Sequence, residues 1–135
     1  MSRLMSVSFT EQAVVERRKT VTRRKGWWLD SRGRRLLNPG DHLTLCRKVM
    51  GRKPGEPLVR LAEVEVVDVR RHRLDLLIPT VPIDSLWGAT WCRKEMVREG
   101  FPGMDPAEFV QRFFVDAQHM APNAEVTRIE WRYLT

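Results

Sequence analysis

The apolar and polar positions at the start of the chain predict a strand and a short helix. Residues 4–9 have the composition of a short strand. Thr10 follows in the position of a helix N-cap, and Phe9 and Val14 have the spacing of a hydrophobic staple around it. We therefore expect a helix that runs from Thr10 to about Arg18.

The next part of the chain changes from an irregular segment to two strands. Residues 19–35 show neither the helical nor the strand period, which predicts a long, basic, non-regular loop. The sequence Asn-Pro-Gly-Asp at 38–41 is a strong turn signal before an alternating strand over 42–47. A hairpin loop over 51–57 then leads into a valine-rich strand over 58–70.

The valine-rich strand does not alternate along its whole length. The pairs Leu61-Ala62 and Val66-Val67 interrupt the period of two, so we expect a bulge or a sharp bend at these points. Residues 74–88 form an apolar run that contains two prolines. Because proline disfavours a helix interior, this run predicts an extended crossing.

Two helices and a strand are predicted at the end of the chain. The first helix covers 90–99 and ends at Gly100, and the second begins at an N-cap, Asp105. The apolar residues of the second helix share one face, which predicts packing on the core: Phe109, Val110, Phe113, Phe114 and Ala117. Alternation over 126–133 predicts a half-buried closing strand.

This order of elements predicts an α+β fold, a small mixed β-barrel of five or six strands with peripheral helices. The βαβ alternation and the glycine-rich phosphate loops of nucleotide-cofactor folds are missing. We therefore expect no cofactor. The length of 135 residues predicts one domain over 1–135 with a hydrophobic core of its own.

Charge is divided unevenly along the chain, and this points to nucleic acid. The net charge is +7, but residues 1–60 hold 15 Lys/Arg and 5 Asp/Glu, which leaves +10 in that half. Phosphates attract cations and unstacked bases stack on flat rings. The predicted nucleic-acid contacts are Arg18, Arg23, Arg24, Lys25, Trp27, Trp28, Arg32, Arg34 and Arg35. The alternative is a solvated basic loop with both tryptophans in the core.

Other sequence features argue against a membrane partner, a disulfide and a metal site. No apolar run reaches the roughly 20 residues that span a bilayer, and the first residues lack a secretory signal, so we expect no membrane partner and a cytoplasmic location. Cys46 and Cys92 lie far apart and predict two free thiols. The three histidines are scattered, so we expect no metal site.

Three segments together resemble the ASCH domain family. They are the sequence RKTVTRR at 18–24 after the first helix, PGDHL at 39–43 opening a strand, and Glu99-Gly100-Phe101 before a phenylalanine-rich helix. The resemblance implies a barrel related to the PUA RNA-binding domains. It also implies a cleft lined by the segment after the first helix, used in this family for RNA or nucleotide-related ligands.

One bacterial branch of that family removes the acetyl group of N4-acetylcytidine with a lysine, a threonine and a glutamate. By resemblance these roles fall on Lys19, Thr22 and Glu99. The leading hypothesis is a domain that binds RNA, another single-stranded nucleic acid or a modified nucleoside in a basic cleft. One alternative is an amidohydrolase that removes the acetyl group of N4-acetylcytidine. The other is a metal-independent ribonuclease. An extra segment at roughly 71–90 and a longer basic loop depart from the family pattern and leave the substrate open.

Amide hydrolysis with Lys19 as the base requires a lowered pKa of its amine. A lysine acts as a general base only if burial brings its pKa towards ~7–8, whereas an ionised Glu99 beside it favours the charged form. The alternative is an ion pair at the mouth of the barrel without a catalytic role. Glu95 and Glu99 lie four residues apart on one helix, which predicts either an acid–base pair or a solvated acidic face.

Overall fold

The computed structural model of the protein describes residues 2–78 and 85–134, and the side chains of all of these except 85–89. Five strands form one curled, mixed sheet in the order β1-β3-β4-β5-β2. They are β1 (Arg3–Ser6), β2 (Val21–Arg24), β3 (His42–Cys46), β4 (Arg60–Arg73) and β5 (Glu125–Tyr133). Only the β1–β3 pair is parallel among these strands. The predicted small mixed α+β fold is confirmed, with the sheet as a half-barrel.

Helices and single turns lie outside the sheet. The 3-10 turn Ser8–Thr10 leads into α1 (Glu11–Val15), and a second 3-10 turn spans Leu74–Leu77. The longest helix is α2 (Ser85–Glu99), and α3 (Pro106–Val110) continues directly into a π-helical turn, Gln111–Asp116. Helix α2 packs on β2 at the edge of the sheet.

Two bulges bend β4, and both fall at the predicted pairs. Leu45 pairs with Ala62 and Cys46 with Arg60, which leaves Leu61 as the extra residue. Towards β5, Val66 pairs with Trp131 and Asp68 with Glu130, which leaves Val67 as the extra residue. Bulges increase the local twist and bend a strand. These two therefore let one long strand pair with both β3 and β5 in a curled sheet.

The sheet separates two hydrophobic clusters. One fills its concave side: Met5, Val7, Val14, Leu37, Leu43, Leu45, Val64, Val66, Val69, Ile129 and Trp131. The other lies under the helices: Leu74, Leu77, Met96, Phe109, Val110, Phe114 and Val126. Both cysteines are buried free thiols, as predicted.

The first two elements are shorter than predicted. Strand β1 ends at Ser6, and α1 ends at Val15 because Arg17 adopts a left-handed conformation with φ of 61°. The hydrophobic staple does not form, because Val14 is buried while Phe9 is 83% exposed. Instead of turning inwards over α1, the Phe9 ring points to the surface.

The predicted loop over 19–35 contains a strand that the pattern did not reveal. Val21, Thr22 and Arg23 of β2 are all buried, so no alternation of apolar and polar residues marks the strand. After β2 the segment 25–35 is irregular, apart from a turn in which Asp30 Oδ1 accepts the backbone N–H groups of Arg32 and Arg34.

Three predictions in the last third of the chain are wrong in detail. The segment 74–88, which was predicted to be extended, begins with a 3-10 turn and ends with the first turn of α2. Residues 79–84 lie outside the described residues. Ala117 is exposed because the wider π-helical turn before it shifts the helical register. The alternation over 126–133 puts Arg128 on the polar, outward face of the predicted strand, but Arg128 is buried. The helix end at Gly100, the helix start after Asp105 and the closing strand are confirmed.

Gly100 allows α2 to end against α1, and its replacement tests that contact. Gly100 has φ of 94°, and a Cβ atom there would lie 3.0 Å from Thr10 Cβ and 3.1 Å from Ala13 Cβ. We expect Gly100→Ala to lower the free energy of unfolding, measured with urea, by about 1–2 kcal/mol for the left-handed backbone and about 1–3 kcal/mol more for the clash.

Gly40→Ala is the matched control for this variant. Gly40 has a similar φ of 97°, but nothing lies within 4 Å of its Cβ position. Its replacement should therefore cost the backbone contribution alone. Equal losses for the two variants would show that the close approach of α2 to α1 is not a constraint.

Candidate functional site

A cavity of about 750 Å³ lies where the two edge strands of the sheet approach each other. Ser6 at the end of β1 and Thr22 and Arg24 of β2 line it together. The Arg24 guanidinium joins the strands, since its Nη2 donates a hydrogen bond of 2.6 Å to the carbonyl of Ser6. We call this cavity the cleft.

The cleft has a polar side and an aromatic side. The polar side contains Ser6, Ser8, Thr10, Lys19, Thr22, Arg23, Arg24 and Glu99. The aromatic side contains Phe9, Phe101, Phe109, Phe113 and Phe114. The remaining lining residues are Val7, Met104, Arg112, Ala117 and Gln118. The structure therefore brings the three predicted catalytic residues to one cavity.

Lys19 is held in place through both its backbone and its side chain. Its carbonyl accepts hydrogen bonds from Trp131 Nε1 at 3.1 Å and from the Tyr133 hydroxyl at 2.5 Å. Its Nζ donates to the Glu99 carbonyl at 2.5 Å and lies 3.5 Å from Glu99 Oε1. The Lys19 side chain is only 3% exposed.

Burial decides the ionisation of Lys19. Removal from water lowers the pKa of the amine to about 8, against the opposing attraction of Glu99, and the positive charge of Arg24 lowers it further. Burial thus outweighs the attraction of Glu99, although the ammonium form of Lys19 still predominates at pH 7.

Glu99 belongs to a buried cluster of charges that we call the acid–base cluster: Lys19, Arg23, Glu95, Glu99 and Arg128. Arg23 Nη1 lies 2.8 Å from Glu99 Oε2 and 3.1 Å from Glu95 Oε2, and Arg128 Nη2 lies 2.7 Å from Glu95 Oε1. Arg98 also pairs with Glu95, and Asp68 and Glu130 both pair with Arg128, so these five residues alone do not set the local charge. The polar side of the cleft is positive because Lys19, Arg23 and Arg24 face one carboxylate there, Glu99.

Two sequence-based interpretations change with this cluster. Glu95 is fully buried and is not part of a solvated face. Burial alone would raise its pKa, but hydrogen bonds and charges from Arg128 and Arg23 outweigh burial and hold the pKa below its ordinary value. Arg23, grouped with the surface cations by sequence, has no exposed side-chain surface. Its Nε and Nη2 find no acceptor among the described residues.

Thr22 and Arg24 are linked on the wall of the cleft. Arg24 Nε donates to Thr22 Oγ1 at 3.1 Å, and burial lowers the pKa of the Arg24 guanidinium. Because the Thr22 oxygen accepts this hydrogen bond, its own hydrogen remains available to another acceptor.

The other predicted nucleic-acid contacts lie outside the lining of the cleft. Arg18 is exposed and pairs with Glu16, while Lys25, Arg32 and Arg34 are exposed. Trp27 and Trp28 pack against the concave cluster of the sheet, as the alternative interpretation expected. The Arg35 guanidinium covers Trp28, with its carbon 3.7 Å from the ring centroid, and donates to the Val69 carbonyl.

Sequence reasoning missed the aromatic side of the cleft. The pattern assigns Phe109 and Phe113 only to core packing, and Phe9 to a staple. The signal was present in the phenylalanine-rich helix that follows Glu99-Gly100-Phe101, since this tripeptide places Phe101 in contact with both rings, 5.6 Å from Phe109 and 4.9 Å from Phe113. Arg112 and Gln118 had no distinguishing pattern.

Comparison with known proteins establishes the fold. No protein-family model and no curated protein matches the chain. Protein EF3133 from Enterococcus faecalis V583, a DUF984 protein, matches 99% of this chain and 80% of its own at 13% identity, with a TM-score of 0.54. An ASCH domain from Lactobacillus crispatus JV V101 matches 98% of this chain and 79% of its own at 12% identity, also with a TM-score of 0.54. The protein has an ASCH-like fold, in agreement with the resemblance of its sequence.

Two classes of feature are missing from the described part of the chain. Its helices include none long and apolar enough to cross a membrane. Its His, Cys, Asp and Glu side chains form no group that could hold a metal ion.

Proposed function

We propose that the cleft binds RNA or a nucleotide-type ligand. The observation that carries this proposal is the union of an aromatic wall with a positively charged polar side in one cavity of about 750 Å³. Ligand pockets usually enclose about 300–1,000 Å³, which matches this volume. Such a cavity accommodates a nucleobase on its rings and leaves Lys19 and Arg24 for the polar groups of the ligand.

The electrostatics of the polar side support an anionic or carbonyl-bearing ligand. Lys19, Arg23 and Arg24 on the polar side face one carboxylate, Glu99, so this side of the cleft has an excess of positive charge. Hydrogen bonds from charged donors are stronger than those between neutral groups, and burial strengthens them further. The ASCH-like fold, related to the PUA RNA-binding domains, is consistent with this proposal.

The lowered pKa of Lys19 favours a second function, hydrolysis of the acetyl amide of N4-acetylcytidine. In this reaction Lys19 takes the proton of Thr22, and the Thr22 oxygen attacks the acetyl carbon. The C–N bond then breaks, and the protonated Lys19 returns a proton to the departing exocyclic amine. Water hydrolyses the acetyl-threonine ester, and Glu99 orients the Lys19 amine throughout.

Lys19→Arg separates binding from hydrolysis. A guanidinium keeps its proton at ordinary pH and cannot serve as a base. We expect the rate of cytidine release from N4-acetylcytidine, followed by chromatography, to fall by about 10²–10⁴-fold. Because the positive charge is retained, affinity for single-stranded RNA, followed by fluorescence anisotropy, should change little.

Lys94→Arg, at an exposed lysine of α2, is the matched control and should change neither property. A Lys19→Arg protein that hydrolyses as fast as the wild type would exclude Lys19 as the base. A wild-type protein that binds RNA but releases no cytidine would eliminate the second function and leave the first.

We also propose that the exposed cations of the basic loop extend the path of an RNA strand beyond the cleft. Lys25, Arg32 and Arg34 lie on the surface, free of the packing that occupies Arg35 and Trp28. If about four cations contact phosphates, the logarithm of the binding constant should fall against the logarithm of salt concentration with a slope of roughly −3.

Replacing Arg32 and Arg34 together by Gln should reduce the steepness of that slope by about 1.4, at ~0.7 for each phosphate that is no longer neutralised. The control replaces two other exposed arginines, Arg60 and Arg93, and should leave the slope unchanged. An affinity that does not depend on salt, or an equal effect of both pairs, would contradict this path for the strand.

A further inference from the structure

Phe9 is an exposed aromatic ring at the mouth of the cleft. Its side chain is 83% exposed, and no other Phe, Trp or Tyr is exposed among the side chains that the structure describes. Single exposed apolar residues are common on protein surfaces, but Phe9 also lines the cleft, so a ligand in the cleft has its ring within reach. Met50 is equally exposed, at 84%, but it lies on a loop that does not line the cleft.

The backbone holds Phe9 in this outward position. Its neighbours Val7 and Thr10 are both buried, and the Val7 N–H is bonded to the Cys46 carbonyl at 2.9 Å. The Thr10 N–H donates to the Val7 carbonyl at 3.0 Å, which closes the 3-10 turn around Phe9. The ring is thus presented by a fixed turn, so little backbone entropy is lost when a ligand contacts it.

Phe9 continues an aromatic surface that is anchored in the core. Its ring centroid lies 5.9 Å from that of Phe113, at an interplanar angle of 66°. Phe113 in turn contacts the buried Phe109 at 5.5 Å. The two outer rings therefore form a corner in which a planar base stacks on one ring and meets the other with its edge or face.

Arg112 places a positive charge beside this corner. It lies on the π-helical turn, lines the cleft and is exposed, with its guanidinium carbon 5.6 Å from the Phe113 ring centroid. Within the described part of the chain it has no carboxylate partner, whereas Arg18, Arg47 and Arg73 are each paired with one. An unpaired guanidinium is suited to a phosphate, which it binds with two parallel hydrogen bonds.

We infer that Phe9, Phe113 and Arg112 form the ligand-selecting rim of the cleft, and that they recognise a phosphorylated nucleoside through its base and its phosphate. This inference rests on the proposed function and specifies the ligand class for the same cavity. The ligand is a free mononucleotide or a nucleotide within an RNA strand, since both present the same base and phosphate. A nucleoside without phosphate satisfies the rings but not Arg112.

Three small probes separate the two kinds of contact in a calorimetric titration: cytidine 5′-monophosphate, cytidine and ribose 5-phosphate. Phe9→Ala should weaken the first two by roughly 5- to 100-fold, the usual effect of removing the ring under one stacked base, and leave ribose 5-phosphate unchanged. Phe9→Trp should retain binding. Arg112→Gln should weaken cytidine 5′-monophosphate by about tenfold without affecting cytidine.

Matched controls are Met50→Ala for the exposed apolar side chain and Arg93→Gln for the exposed arginine. A labelled single-stranded RNA distinguishes the two sources of the ligand. If the variants alter cytidine 5′-monophosphate binding, a free nucleotide is sufficient; if they alter only RNA binding, the nucleotide must lie within a strand. Both results support the rim.

The rim is overturned if Phe9→Ala and Arg112→Gln bind every probe as the wild type does while Arg24→Gln, on the polar side of the cleft, weakens binding. That outcome would preserve the proposed function and remove only its aromatic and phosphate contacts. A wild-type protein that binds neither cytidine 5′-monophosphate nor RNA would instead overturn the proposed function itself.

Discussion

Two carboxylates of α2, Glu95 and Glu99, hold the outer part of the sheet through buried ion pairs. Glu95 meets Arg23 of β2 and Arg128 of β5, and Glu99 meets Arg23 and Lys19. Charges withdrawn from water are costly, and removal of one partner from a buried pair costs about 3–5 kcal/mol because the other charge remains uncompensated. The position of α2 relative to β2 is therefore tightly restricted.

The cleft follows from that restriction. Strand β2 packs against α2 and pairs with β5, and its Arg24 side chain joins it to β1, at the other edge of the sheet, through the hydrogen bond to the Ser6 carbonyl. Gly100 then turns the chain at once, which keeps the Glu99 carbonyl beside Lys19 and directs Phe101 to the aromatic side. A single arrangement thus produces the buried amine, the positive polar side and the ring-lined wall.

The sequence revealed features that depend on local chemistry. The broken alternation at Leu61-Ala62 and Val66-Val67 located both bulges, because a bulge changes which face each residue presents. The convergence of Lys19, Thr22 and Glu99 was predicted from resemblance to a family, since Lys19 and Glu99 are separated by 80 positions and share no local pattern.

Other features could not be predicted, because they depend on partners distant in the chain. Strand β2 was missed because Arg23 has a charge that only Glu95 and Glu99 make tolerable inside the protein. The spacing of Phe9 from Val14 fits a staple, and only the tertiary structure shows that the ring faces the cleft instead.

Lys19 has a buried amine on the polar side of the cleft, which we propose to bind a nucleotide. The most direct measurement is an NMR titration of the Lys19 side chain, without ligand and with saturating cytidine 5′-monophosphate. We predict a pKa of about 8 in the free protein, and a higher pKa with the nucleotide because a phosphate held by Arg112 adds negative charge to the cavity that Lys19 also lines, which favours the ammonium form. A pKa near the ordinary lysine value of 10.5 that does not respond to the nucleotide would contradict both the burial of the amine and its place in the site.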